Sequence, residues 1–161
     1  MNDKGRTDIG FVLMGDGDAL SEIRKTALEY GVDDRIIFTG WADSKTISTY
    51  LNVSDLGLMP EPKNSYTDNS LHNKVMEYMA HGLPIISYDL KEAIKSAGSA
   101  GVFVLDNDSI KFGQAVMELV DDDTRRKSMS DLARKTAVQD FNWEKSGEKL
   151  LEAYGYLGFK I

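Results

Sequence analysis

Over the first hundred residues, short apolar runs alternate with segments whose apolar positions recur every three or four residues, the patterns of buried strands and amphipathic helices. The run DIGFVLMG (8–15) is too short for a helix and ends in glycine, which predicts a strand buried on both faces. In DALSEIRKTALEYG (18–31), Leu20, Ile23, Ala27 and Leu28 share one helical face and Gly31 supplies the stop. RIIFTG (35–40) predicts a second strand, and DSKTISTYLNV (43–53) a second helix striped by Ile47, Tyr50 and Leu51. DLGLMP (55–60) predicts a third strand closed by Pro60, followed by a polar loop rich in Pro, Asn, Ser and Asp to residue 70. A helix follows, with Gly82 just past its end and Pro84 two residues later, and PIISY (84–88) resumes as strand. LKEAIKSAG (90–98) and GVFVL (101–105) add a helix and a strand. Beyond them the pattern is all helical: Phe112, Ala115, Val116 and Leu119; then Met129, Leu132, Ala133 and Ala137; then Trp143, Leu150, Leu151 and Tyr154.

Strands joined by helical crossovers must be mostly parallel, with helices on both faces of the sheet. The expected class is therefore α/β, a mostly parallel sheet with helices on both faces in one domain spanning 1–161. In such sheets ligands bind beyond the carboxyl ends of the strands, where loops lead into helix N-termini. Three loops are expected on that edge: Gly15-Asp16-Gly17-Asp18, Gly40-Trp41-Ala42-Asp43, and residues 60–73.

Composition narrows the partners. The 161 residues are 42% hydrophobic, enough for one domain with a core. With 19 basic against 26 acidic residues the formal charge is −7, which repels nucleic-acid backbones and anionic lipid. There is no cysteine, so disulfides, thiolate metal sites and cysteine nucleophiles are excluded. The N-terminal apolar run is too short for a membrane span or a signal peptide. A cytoplasmic location is the expectation, with a membrane-peripheral placement open for a longer chain.

The stretch SLHNKVMEYMAHGLPIISYD (70–89) carries the richest candidate chemistry. Asn69 or Ser70 is placed to cap the helix, leaving the amides of residues 71–74 free to face an anion. Asn73 and Glu77, four apart, share a face, and Lys74 adds a positive charge at that end. A diphosphate there would set Glu77 one turn deeper, placed to accept from the two hydroxyls of a ribose. The competing reading makes Glu77 a solvated residue of an amphipathic helix. His72 is either a donor to phosphate or a solvated loop histidine. Gly15 and Gly17 allow close approach of backbone to a pyrophosphate, but Leu20 stands where a dinucleotide fingerprint needs its third glycine. The alternative is a sharp turn whose aspartates cap the next helix. Asp121-Asp122-Asp123 reads as helix capping rather than metal binding, and His81 as a C-terminal residue of its helix. No metal site and no serine-histidine-acid grouping stands out.

Taken in order, the Gly-Asp-Gly turn, IIFTGW, EYMAHGLPII and the closing FNWEKSGEKLLEAY resemble the C-terminal, nucleotide-sugar-binding half of a family 4 GT-B glycosyltransferase over nearly the whole chain. The resemblance implies two facing Rossmann-like halves, this one binding the donor, with the final helix (141–161) packing toward the other half. It implies that Glu77 matches the second acid of a Glu-x7-Glu motif used on the donor ribose. It further implies that Leu71 to Lys74 form the diphosphate cradle, joined by Ser70 and His72, and that Gly40 and Trp41 border the base. The first motif acid falls on Asn69, which implies a donor-sugar contact without charge and leaves no catalytic residue assigned. The implied function is transfer of a sugar from a nucleoside diphosphate, UDP favoured, to a saccharide or lipid-linked acceptor. The mechanism implied is retaining and metal-independent, with no cofactor. Alternatives are a non-catalytic nucleotide-binding or interaction module on the same scaffold, or a UDP-sugar epimerase. The family's nucleotide half opens with a further strand-helix unit bearing a phosphate-holding arginine and lysine, preceded by the acceptor half. The chain starts close to its first predicted strand, so it is expected to be part of a longer enzyme and to transfer little by itself.

Overall fold

The computed structural model describes residues 6–158, and the chain divides into two compact units, Met1–Val53 and Ser54–Ile161. The predicted alternation of strands and helices is present, and among the described residues the strand ladders are parallel, but they form two sheets rather than one. Strands β1 (Phe11–Met14) and β2 (Ile36–Gly40) pair in the first unit, in register from Phe11↔Ile36 to Leu13↔Phe38. Strands β3 (Gly57–Met59), β4 (Ile85–Tyr88) and β5 (Gly101–Val104) form the second sheet in that order.

In the first unit, α1 (Leu20–Tyr30) connects β1 to β2 and α2 (Ser44–Val53) follows β2. Strand β1 is not buried on both faces as its sequence predicts: Phe11 is 38% exposed, and Ile37 on β2 is 51% exposed. A two-stranded sheet has too little surface to cover both sides of its strands. On α1 the predicted stripe is only partly used, since Ala27 is buried while Ile23 and Leu28 are exposed. Neither Asp16 nor Asp18 caps α1. The N-cap is Ala19, and the entry turn is closed by backbone, Leu20 N donating to Gly17 O at 2.9 Å. Gly31 ends α1 with φ 62°, and Asp43 caps α2 by accepting from Thr46 N at 2.8 Å. That bond holds the Asp43 carboxyl below the usual range.

The second unit has the layered build that the sequence predicts, because its strand residues alternate between two cores. Met59, Ile85 and Phe103 face one core, with Val75 and Met79 of α3 (Asn73–Ala80) and Leu90. Ala93 and Ala97 of α4 (Lys91–Ala97) and Ala133 and Ala137 of α6 (Asp123–Asp140) complete that side. Leu58, Ile86, Tyr88, Val102 and Val104 face the other core, with Phe112, Val116 and Leu119 of α5 (Ser109–Asp121) and Met129 of α6. Asp122 caps α6 by accepting from Arg125 N at 2.9 Å, the role predicted for the aspartate run. Helix α7 (Trp143–Tyr156), capped by Asn142, ends the described chain, and none of its residues is buried. Residues 159–161 of the predicted final helix lie outside the described residues. Among those described, no helix is long and apolar enough to cross a membrane.

Candidate functional site

Within the first unit, the structure joins two of the predicted ligand loops at the carboxyl ends of β1 and β2. Gly15 N donates to Gly40 O at 2.9 Å. Gly15 (φ 147°) and Gly40 (φ 65°) both hold backbone that a side chain disfavours, which explains glycine at each. Gly17 is exposed in the same turn, and Trp41 follows Gly40 with 78% of its surface open.

The remaining predicted residues lie in the second unit, on the loop from Pro60 to His72 and on α3. The helix begins later than its sequence suggests. Asn69 belongs to a 3-10 turn (Thr67–Asn69) and the N-cap is His72, which makes no side-chain cap bond. The loop is occupied with its own turns instead: Asn69 Nδ2 donates to Ser65 O (2.9 Å) and Ser70 Oγ to Tyr66 O (2.7 Å). His72 Nε2 lies 3.2 Å from Thr67 O. The first intrahelical bond is Val75 N to His72 O at 3.0 Å, and the amides of Leu71, His72, Asn73 and Lys74 donate to no carbonyl among the described residues. Four N–H groups, two before and two in the first turn, thus open an eight-residue helix whose dipole favours an anion there. One turn deeper, Glu77 is exposed on the same face as Asn73.

Lys74 is not a free cation. Its ammonium pairs with the carboxylate of Glu61, two residues beyond β3. Tyr78, four residues on and on that same face, donates from its hydroxyl to Leu58 O at 3.3 Å. Burial first, and then the negative charges of Glu61 and Glu77, push the Tyr78 hydroxyl up to about 12.

A set of charged residues that the sequence left as a polar loop anchors this segment. Lys63 Nζ donates to Asp89 Oδ2 (2.6 Å) and to Asp89 O (3.0 Å), just past β4. Its backbone is gripped by Asn107, whose Oδ1 accepts from Lys63 N (2.5 Å) and whose Nδ2 donates to Lys63 O (3.0 Å). Asp106 and Asn107 hold positive φ values, 65° and 52°, the uncommon left-handed turn that presents this clamp. Asp68, 8% exposed, accepts from Lys91 N (3.0 Å) and Lys91 Nζ (2.9 Å) at the start of α4. These bonds fix the loop before any ligand arrives, so a ligand need not pay to order it.

Such an arrangement suits a phosphorylated ligand bearing hydroxyls: amides for the anion, an amide side chain and a carboxylate for the hydroxyls. Comparison with known proteins identifies the family. The family model described as glycosyl transferases group 1 matches residues 2–122. The lipopolysaccharide core biosynthesis glycosyltransferase LpsE of Rhizobium meliloti is 28% identical over 144 residues, 88% of this chain and 39% of that protein. The solved glycosyltransferase of Rickettsia africae superimposes with a TM-score of 0.80 at 16% identity, over 99% of this chain and 43% of that one. Anabaena Alr3699/HepE, solved in complex with UDP and glucose, gives 0.77 at 18% identity over 90% and 40%. The chain thus spans about two fifths of the length of the proteins it matches.

Proposed function

Because the chain belongs to the glycosyl transferases group 1 family, we propose that it forms the donor-binding half of a retaining, metal-independent GT-B glycosyltransferase. That enzyme moves a sugar from a nucleoside diphosphate to a saccharide or lipid-linked acceptor. The observation that carries this reading is the amino end of α3, where four unbonded amides lead into an exposed Asn73–Glu77 face. The amides receive the diphosphate and Glu77 accepts from the ribose hydroxyls. UDP is the favoured nucleotide, a choice supported by the fold neighbour from Anabaena, solved with UDP and with UDP-glucose.

In this reading, bond cleavage puts negative charge on the departing diphosphate, and the fixed amides stabilise it without reorganising. Asn69 contacts the donor sugar without contributing charge. Helix α7 packs toward the acceptor-binding half. The chain alone binds donor and transfers little.

Calorimetric titration tests the assignment. Glu77→Gln should weaken UDP by about 1–3 kcal/mol, the range for losing charged hydrogen bonds. Its melting temperature should hold, because the side chain is exposed. Unchanged UDP affinity removes Glu77 from the site.

A further inference from the structure

The charge at the amino end of α3 is not what Lys74 alone suggests. Helix α3 carries its polar residues on two faces. Asn73 and Glu77 are exposed on one. Lys74 and Tyr78 lie on the other, turned toward β3, where the Tyr78 hydroxyl meets Leu58 O and its ring closes over Gly57. Lys74 follows that face to the carboxylate of Glu61. The Glu61 side chain is 27% exposed; Oε1 takes the Lys74 ammonium, while Oε2 is shielded from solvent and has no hydrogen-bond partner. A shielded carboxylate with one donor depends on that donor, and drawing Lys74 away to a ligand would strand its charge.

We infer that Glu61 sets the charge of the diphosphate site: by pairing with Lys74 it leaves the amino end of α3 without net side-chain charge, so the backbone amides of residues 71–74 supply the grip. This rests on the donor-site reading above and adds a residue, Glu61, that tunes how tightly a nucleoside diphosphate is held. A nucleotide product then leaves without an ion pair having to break.

The inference makes a charge rule that a mutant cycle reads directly. Glu61→Gln keeps the shape and an acceptor for Lys74 but leaves the ammonium unbalanced, so UDP should bind roughly three- to tenfold tighter, the scale of one charge at partly screened range. Uridine, which carries no phosphate, should bind unchanged. Lys74→Met leaves Glu61 facing the diphosphate and should weaken UDP by a similar factor. The double variant should return to within about twofold of the parent, and it strands neither charge, so it carries the test even where a single variant melts early.

Titrations of the 161-residue chain with UDP, uridine and UDP-glucose, at two salt concentrations, decide it. A double variant as weak as Lys74→Met shows that Lys74 holds phosphate directly and overturns the inference. So does equal UDP affinity in all four proteins, or a Glu61→Gln loss confined to UDP-glucose, which would make Glu61 a sugar contact. Binding of UDP by none of them overturns the donor-site reading as well. A Glu77→Gln effect without any charge dependence at residues 61 and 74 overturns this inference alone.

Discussion

Asp68 shows what one side chain does for a loop that would otherwise have to be ordered by its ligand. Helix α4 has Leu90 at its N-cap, which offers no side-chain acceptor, and Asp68 supplies one from 23 residues away by accepting from the Lys91 amide. Hydrogen bonds from the Lys91 side chain and then its backbone hold the Asp68 carboxyl below the usual carboxylate range. A folded-state value below the unfolded one stabilises the fold above about pH 3.9, and that contribution is lost as pH falls through the lower folded value. Lys63 works in the other direction: its hydrogen bond to Asp89 raises it, so its contribution is complete below about pH 10.4 and fades as pH rises through the higher folded value. Asp68→Asn should therefore flatten the acid limb. Calorimetric melts from pH 7 to pH 3 should show the parent losing melting temperature more steeply below about pH 4 and converging on the variant; parallel curves would show that Asp68 does not titrate against folding. None of this was legible in the sequence. The leading amides of α3, Asn73 and Glu77 announce themselves by spacing along one helix, whereas Lys63–Asp89, Asp68–Lys91 and Lys63–Asn107 join residues 26, 23 and 44 apart. Local pattern carries no signal for contacts of that range.

At the scale of elements, the position of α3 is set from both ends and from beneath. Its C-terminus closes with Gly82 at φ 69°, Gly82 N donating to Met79 O (2.9 Å) and Leu83 N to Tyr78 O (2.9 Å). This paired ending is what glycine followed by proline signalled in the sequence. Beneath it, a Cβ on Gly57 would sit 2.4 Å from the Tyr78 ring. The absence of a side chain on β3 therefore sets how closely α3 approaches the sheet, and with it where Lys74 meets Glu61. Gly57→Ala should destabilise the chain by about 1–3 kcal/mol, the usual cost of forcing atoms into a packed core, measured by urea unfolding. Tyr78→Ala removes the obstructing ring, so Gly57→Ala should cost less in that background than in the parent; an equal cost would place the strain in the β3 backbone. The sequence marked residues 55–60 as a strand but gave no sign of this approach, because the partner ring comes from a helix 21 residues later. Strand burial departs from the sequence reading where coverage fails: β1 is the more apolar strand, yet every residue of β4 is buried between two helical layers while Phe11 on β1 is open. Burial on both faces depends on neighbouring layers, which a strand's own residues do not specify.

For the whole molecule, α7 is the element whose chemistry is least accounted for by the described chain. Its N-cap is formed, Asn142 accepting from Lys145 N at 2.8 Å, so the helix is built to persist. Yet Trp143, Leu150, Leu151, Tyr154 and Tyr156 are all exposed. An ordered helix with so many uncovered large side chains is a surface made for contact. The relatives extend well beyond the matched region, which is 39% of the Rhizobium protein. Under the proposed function, the uncovered face of α7 is the surface that would meet an acceptor-binding half. The proposed function puts donor binding at the amino end of α3, so the two roles should separate under mutation. Leu150→Glu with Leu151→Glu should leave UDP affinity and melting temperature of the 161-residue chain unchanged, since neither residue is buried. Joined to an acceptor-binding half from a relative, the same pair should lower sugar transfer by tenfold or more, because two carboxylates would be forced into an apolar contact at a cost above the 1.4 kcal/mol of each factor of ten. A matching fall in UDP affinity would place α7 at the donor site instead, and unaltered transfer would mean that another surface holds the two halves together.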